Sequence, residues 1–106
     1  YANRRPEDAP FLDELSGLSR ENPNFTFIPT MTQMSGSHLP WNGETGHIDY
    51  ELIVKYLKGN PSSEKEMSKP IHYIAGPPAM VSGLRTMLNE AGVDDDDIRT
   101  EEFTGY

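Results

Sequence analysis

The spacing of apolar residues changes several times along the chain, and each change marks an element. Phe11, Leu12, Leu15 and Leu18 recur at helical spacing. Pro6, followed by Glu7 and Asp8, makes a strong helix start, because proline presets φ and acidic groups suit the positive end of the helix dipole. The pattern predicts a helix over 6–20 with one buried face, entered from the tail of a strand at Tyr1-Ala2-Asn3. Asn22-Pro23-Asn24 stops that helix, and the aromatic and β-branched run 25–31 predicts a strand with Pro29 near its end. Residues 32–46 are mostly polar, Gly and Pro around Trp41, the composition of a loop.

Ile48, Leu52, Ile53, Tyr56 and Leu57 predict a second helix, with Asp49 near its start. The stretch 59–66 has the composition of a surface loop that contributes nothing to a core. Ile71-His72-Tyr73-Ile74-Ala75 reads as a short strand ending at Gly76-Pro77-Pro78. Met80, Leu84, Met87 and Leu88 mark a third helix, which Gly92 is placed to close. After Asp94 to Asp97, residues 98–103 predict a last strand. Strands alternating with helices predict an α/β fold, a three-layer parallel sheet with helices on both faces. In such folds ligands bind at the carboxyl ends of the strands. Those ends are Asn3-Arg4, 30–33 with Thr30 and Thr32, Gly76-Pro77-Pro78, and 101–106.

Composition narrows the function. A chain of 106 residues suffices for one compact domain and is too short for two. A net charge of −8, with only Arg4 and Arg5 as a local basic pair, argues against a nucleic-acid partner, since neutralising phosphates requires clustered cations. No apolar run approaches the roughly 20 residues of a membrane-spanning helix, so none is expected. The absence of cysteine excludes disulfides and thiolate chemistry within the chain and makes a reducing cytoplasm the expected compartment. His38, His47 and His72 lack ligand spacing, and Asp94 to Asp97 lacks the alternation and central glycine of a calcium loop, so no metal site is expected. The chain opens on Tyr rather than Met, and further chain is expected upstream.

The most informative segment is Ile74-Ala75-Gly76-Pro77-Pro78-Ala79-Met80. A strand ending in glycine admits close approach of a flat ligand, and two prolines stiffen the turn into the next helix. The same pattern also describes an ordinary strand-to-helix turn. Together with Tyr1-Ala2-Asn3-Arg4, Trp41-Asn42-Gly43-Glu44-Thr45-Gly46-His47-Ile48 and Glu101-Glu102-Phe103, it resembles the ferredoxin reductase superfamily, in that family's order and over essentially the whole chain.

The resemblance implies a nucleotide domain that passes hydride from NAD(P)H to FAD held by an upstream barrel domain, with electrons continuing to an iron–sulfur or other acceptor. It also implies a preceding strand and glycine-rich phosphate loop, neither of which occurs in these residues. That strand would lie between the strands carrying Tyr1 to Asn3 and Ile71 to Ala75. The chain alone is therefore expected to be a partial NAD(P)-binding domain, catalytically inert, with open edges that favour self-association.

By the resemblance, Glu101 would lie near the nicotinamide and Phe103 near the flavin, with Tyr106 an alternative stacking residue. A solvated acidic strand end beside a packed Phe remains open. Asn3, Arg4 and Arg5 would hold the adenosine ribose, with NAD and NADP both possible, because Glu7 and Asp8 stand ready to pair with the arginines. Thr30, Thr32, Trp41, Gly76, Pro77, Pro78 and Met80 complete the expected cofactor contacts, with Trp41 equally readable as a packing anchor. The family often carries cysteine just before the glycine; here the residue is Ala75, so thiol assistance is not available. A nucleotide-binding or regulatory module within a redox assembly is the alternative function.

Overall fold

The computed structural model describes residues 1–58 and 70–104. It forms two compact units, Tyr1–Ile48 and Asp49–Tyr106. The class is α/β with parallel strands, as the element order predicts.

In the first unit three two-residue strands, β1 (Ala2–Asn3), β2 (Thr30–Met31) and β3 (Glu44–Thr45), form a parallel sheet in that order. Ala2 stands opposite Thr30, and Thr30 opposite Glu44. Thr30 and Met31 are almost completely buried. The Thr30 hydroxyl avoids a desolvation cost by donating to the Gly46 carbonyl at 2.8 Å. β3 lies in the stretch expected to be loop. Its pairing partner sets it, because no alternating pattern announces a two-residue strand.

The first helix also differs from expectation. Pro6–Asp8 is a short 3-10 turn, and the α-helix α1 spans only Leu12–Glu21. Pro10 is the reason: its ring disfavours helical backbone at the preceding residue, and Ala9 is extended at φ −86°, ψ 105°. Phe11 then takes a left-handed conformation at φ 60° and remains 69% exposed. Leu18 is also half exposed, so the buried side of α1 runs through Leu12, Leu15 and Ser19 rather than the expected four apolar residues.

Ser19 explains a further difference. Its hydroxyl donates to the Phe25 carbonyl at 3.1 Å and accepts the Phe27 N–H at 3.0 Å. Part of the 25–29 backbone is thereby bonded to a helix side chain, and only Thr30–Met31 of the expected strand joins the ladder. Phe27 packs between Tyr1, with ring centres 5.3 Å apart, and Phe25 at 6.5 Å.

In the second unit β4 (His72–Gly76) and β5 (Ile98–Glu102) pair in parallel, from His72 opposite Ile98 to Gly76 opposite Glu102. The helices α2 (Tyr50–Lys58) and α3 (Pro78–Glu90) fall close to the predicted spans. Asp49 starts α2 by accepting the Leu52 N–H at 2.8 Å. Ile74, Val81, Leu88 and Ile98 form the core, with Ile53, Leu84, Met87 and Val93 packed on it.

The end of α3 is a Schellman motif. Val93 N–H donates to Leu88 and Gly92 N–H to Asn89, with Gly92 at φ 97°. Asp94 then caps the 3-10 turn Asp95–Asp97 through the Asp96 N–H. This turn delivers the chain into β5. No helix among the described residues is long and apolar enough to cross a membrane.

Candidate functional site

Within the first unit, the carboxyl ends of β1 and β2 remain side by side past the ladder. The Asn3 carbonyl accepts the Thr32 N–H at 2.9 Å and the Thr32 hydroxyl at 3.4 Å, and the Arg4 carbonyl accepts the Gln33 N–H at 2.9 Å. Asn3, Arg4, Thr30 and Thr32 are thereby brought to one sheet end, with Thr30 buried beneath it.

The two arginines part company there. Arg5 is bound by both oxygens of Asp8, at 2.6 and 2.9 Å, and reaches the Gly36 carbonyl at 3.3 Å. That hydrogen bond and charge hold the Asp8 carboxyl below its usual range and raise the Arg5 guanidinium. Arg4 is exposed, and its guanidinium has no hydrogen-bond or ion-pair partner among the described residues.

Of the two carboxylates expected to pair with the arginines, Asp8 does so and Glu7 reaches elsewhere. Its carboxylate accepts the His38 N–H at 3.0 Å and the Ser37 hydroxyl at 2.7 Å. The backbone bond from His38, then the Ser37 hydroxyl, lower its pKa to about 2. Its partners lie thirty residues away, beyond the reach of spacing arguments. A carboxylate beside two arginines is the only local signal.

Trp41 is half buried and serves its own turn: its indole N–H donates to the Glu44 carbonyl at 2.8 Å. A Cβ at Gly43 would stand 2.6 Å from the Trp41 ring, so the ring lies flat against that glycine. The packing role left open above is the one this geometry describes.

In the second unit, the β4–β5 register sets Gly76, at the start of the Gly76-Pro77-Pro78 turn, opposite Glu102 and between the neighbours Glu101 and Phe103 of the facing strand. Ala75 stands opposite Glu101, and the Phe103 N–H extends the pairing by donating to the Gly76 carbonyl at 2.8 Å. Pro77 precedes α3 with extended backbone at φ −59°, ψ 147°, and Pro78 occupies its first turn. No side chain caps this helix N-terminus.

A Cβ at Gly76 would collide with the Met80 methyl. Met80 therefore folds over the glycine, and its flexible thioether chain is a cover able to swing aside. Glu101 and Phe103 are exposed at the strand end. Tyr106 and the loop 59–66 lie outside the described residues.

The cleft of the second unit, about 290 Å³ and lined by Ile53, Leu57, His72 and Val93 among others, sits at the amino end of β4, away from Gly76. Among the described residues no group of three or more His, Asp or Glu side chains is placed to hold a metal ion.

Parallel strands, a Gly-Pro-Pro turn into a helix and a carboxylate-aromatic strand end beside it define the class. The chain belongs to the oxidoreductase NAD-binding domain family, whose model matches residues 1–86. Among curated proteins it is similar to the F subunits of Na(+)-translocating NADH-quinone reductases. It is 33% identical to the Klebsiella pneumoniae protein over 99% of this chain and 25% of the relative, and 33% identical to that of Methylococcus capsulatus over the same shares. The chain thus spans about a quarter of the length of these relatives. In fold it resembles the structure of the CS-b5R domains of human Ncb5or in its NAD+ form, with a TM-score of 0.76 and 21% identity over 93% of this chain and 26% of the other.

Proposed function

We propose that this chain holds the nicotinamide dinucleotide of an FAD-dependent oxidoreductase, so that hydride passes to a flavin carried elsewhere in the full protein and electrons continue to an iron–sulfur or other acceptor. The observation that carries this reading is the pairing of the strand end Ala75-Gly76, where the Gly-Pro-Pro turn begins, with Glu101-Glu102 and the Phe103 N–H. Membership of the oxidoreductase NAD-binding family and the names of the NADH-quinone reductase relatives support it.

The residues suit a flat redox ring. Gly76 presents a surface without a side chain once Met80 moves, and the open N-terminus of α3 offers partial positive charge to a carboxamide or phosphate oxygen. The flavin, when bound, supplies the two-electron acceptor. The chain's own part is to hold the donor ring in place and exclude water from it. Phe103 is the stacking side chain. Glu101, one strand away from Ala75, orients the ring or relays a proton. With alanine at position 75, no thiol takes part.

In the first unit Asn3, Arg4 and Thr32 face the adenosine end, with the buried Thr30 and the turn held by Trp41 supporting them from beneath. The local charges favour NADH over NADPH. Arg5 is paired with Asp8, whose carboxylate also feels the charge of Arg4, so no surplus cation pair awaits a 2′-phosphate. A flavin domain preceding this chain in the full protein completes the site, and the lack of cysteine fits a reducing compartment.

Rapid-mixing titration of the full-length protein with NADH and NADPH tests the reading. Flavin bleaching by NADH, slowed by about a hundredfold in Glu101→Ala or Phe103→Ala, is expected from removing a group aligned with the reacting ring. Absence of bleaching with nucleotide bound leaves the second reading, a binding module within a redox assembly, which the subunit status of the relatives favours. A protein that binds neither nucleotide refutes both.

A further inference from the structure

Side chains, as well as the sheet, bind together the two loops that leave β1 and β2. Glu7, in the turn after β1, uses one carboxylate oxygen for the Ser37 hydroxyl and the other for the His38 N–H. Arg5 lies under this bridge, with Asp8 on one side and the Gly36 carbonyl on the other. Arg5, Glu7 and Asp8 are therefore all engaged within the protein. Arg4, between them and the strand, is exposed, forms no side-chain hydrogen bond or ion pair among the described residues and acts on Asp8 through its charge alone.

We propose that Glu7 is a positioning residue for the dinucleotide: it fastens the loop carrying Gly36, Ser37 and His38 to the turn after β1, and so leaves Arg4 as the arginine of the pair that meets the ligand's ribose or phosphate oxygens. The inference rests on the dinucleotide-binding reading given above. The chemistry requires a carboxylate, because two acceptor oxygens at a fixed angle satisfy two donors at once and the negative charge strengthens both bonds. Without Glu7, the Ser37–His38 segment loses its tether to the turn. The Gly36 carbonyl then moves off Arg5, which stays paired with Asp8, and the turn that presents Arg4 loses its support. Glutamine at this position can accept the His38 N–H through its carbonyl and donate its amide N–H to the Ser37 oxygen, so it keeps the shape of the bridge and loses the charge that strengthens it.

The test is steady-state kinetics with NADH on the full-length protein carrying this chain, as wild type, Glu7→Ala, Glu7→Gln, Arg4→Ala and the Glu7→Ala/Arg4→Ala double variant. Glu7→Ala and Arg4→Ala are each expected to raise KM for NADH about tenfold, with a smaller change in kcat. Since Glu7 acts through Arg4, the double variant should be no worse than Arg4→Ala alone. Glu7→Gln should recover part of the loss, and Ser37→Ala, which removes one bond from the opposite side, should reproduce part of it.

An unchanged KM in Glu7→Ala, or losses that multiply in the double variant, overturns the proposal. A Glu7→Ala protein that loses thermal stability, while Ser37→Ala keeps the wild-type KM, overturns it as well. If wild type oxidises NADH normally and Glu7→Ala keeps its KM, this inference alone fails. If wild type does not respond to NADH, the dinucleotide reading fails and takes the inference with it.

Discussion

Glu7 and Arg4 differ in what their surroundings ask of them, although they stand three positions apart among four charged residues. The Glu7 carboxyl is held at about 2 against an ordinary 4.5 by the bonds from His38 and Ser37. A depressed carboxylate stabilises the fold fully above its unfolded pKa, and that contribution is lost as pH falls through the folded value. The bridge is therefore intact at neutral pH and weakens only between about 4.5 and 2. The amide resonance of His38, followed by NMR on acidification, should titrate with a midpoint near 2; a midpoint near 4.5 would mean that the bond does not form. The existence of an acidic pair beside two arginines was legible in the sequence. Which carboxylate takes which partner was not, because Asp8 finds Arg5 three residues away while Glu7 reaches across to the next loop.

At the scale of elements, the second unit follows its sequence closely. Periodicity placed α2 and α3 to within about two residues, and Gly92 was read as the stop of α3 from its position alone. At φ 97° with open space around its missing Cβ, Gly92 offers a clean test of backbone preference without steric complication. Gly92→Ala should lower unfolding free energy by about 1–2 kcal/mol, measured by denaturant titration, and Gly92→Asn by less, because asparagine tolerates left-handed backbone. Equal losses in both would sink the argument. The first unit departs from its pattern where local and tertiary demands meet. Pro10 divides what apolar spacing presented as one helix, and the Ser19 hydroxyl takes backbone groups that β-propensity assigned to a strand.

For the whole molecule, the governing fact is that the strands among the described residues form two parallel sheets, of three strands and of two. Parallel sheets are normally covered on both faces. Here Tyr73, the second residue of β4, is 79% exposed, and Ile71 and Phe103 are exposed at 53% and 40%. Strand edges with unpaired N–H and C=O groups, next to apolar side chains in water, are templates for further pairing. The 106-residue chain by itself should therefore self-associate, with a sedimentation coefficient that rises with concentration, and Tyr73→Lys should shift it toward monomer. A concentration-independent monomer would show that these edges are protected. The same exposure fits the proposal that the remainder of a longer protein, of which this chain is about a quarter in its relatives, covers this surface.

The sequence by itself determined the class of fold, the order of its main elements, the Gly-Pro-Pro turn and the helix closure at Gly92. These depend on periodicity, proline and glycine within a few residues of one another, where backbone sterics act. Tertiary structure alone decided that β3 exists, that Trp41 lies against Gly43, that Met80 covers Gly76 and that Glu7 ties two loops together. For β3 and Glu7 the partner lies outside the local turn. Met80 and Trp41 settle through side-chain rotamers that spacing does not specify. Hydrogen bonds and contacts of this kind form only once the strands have set which loops meet.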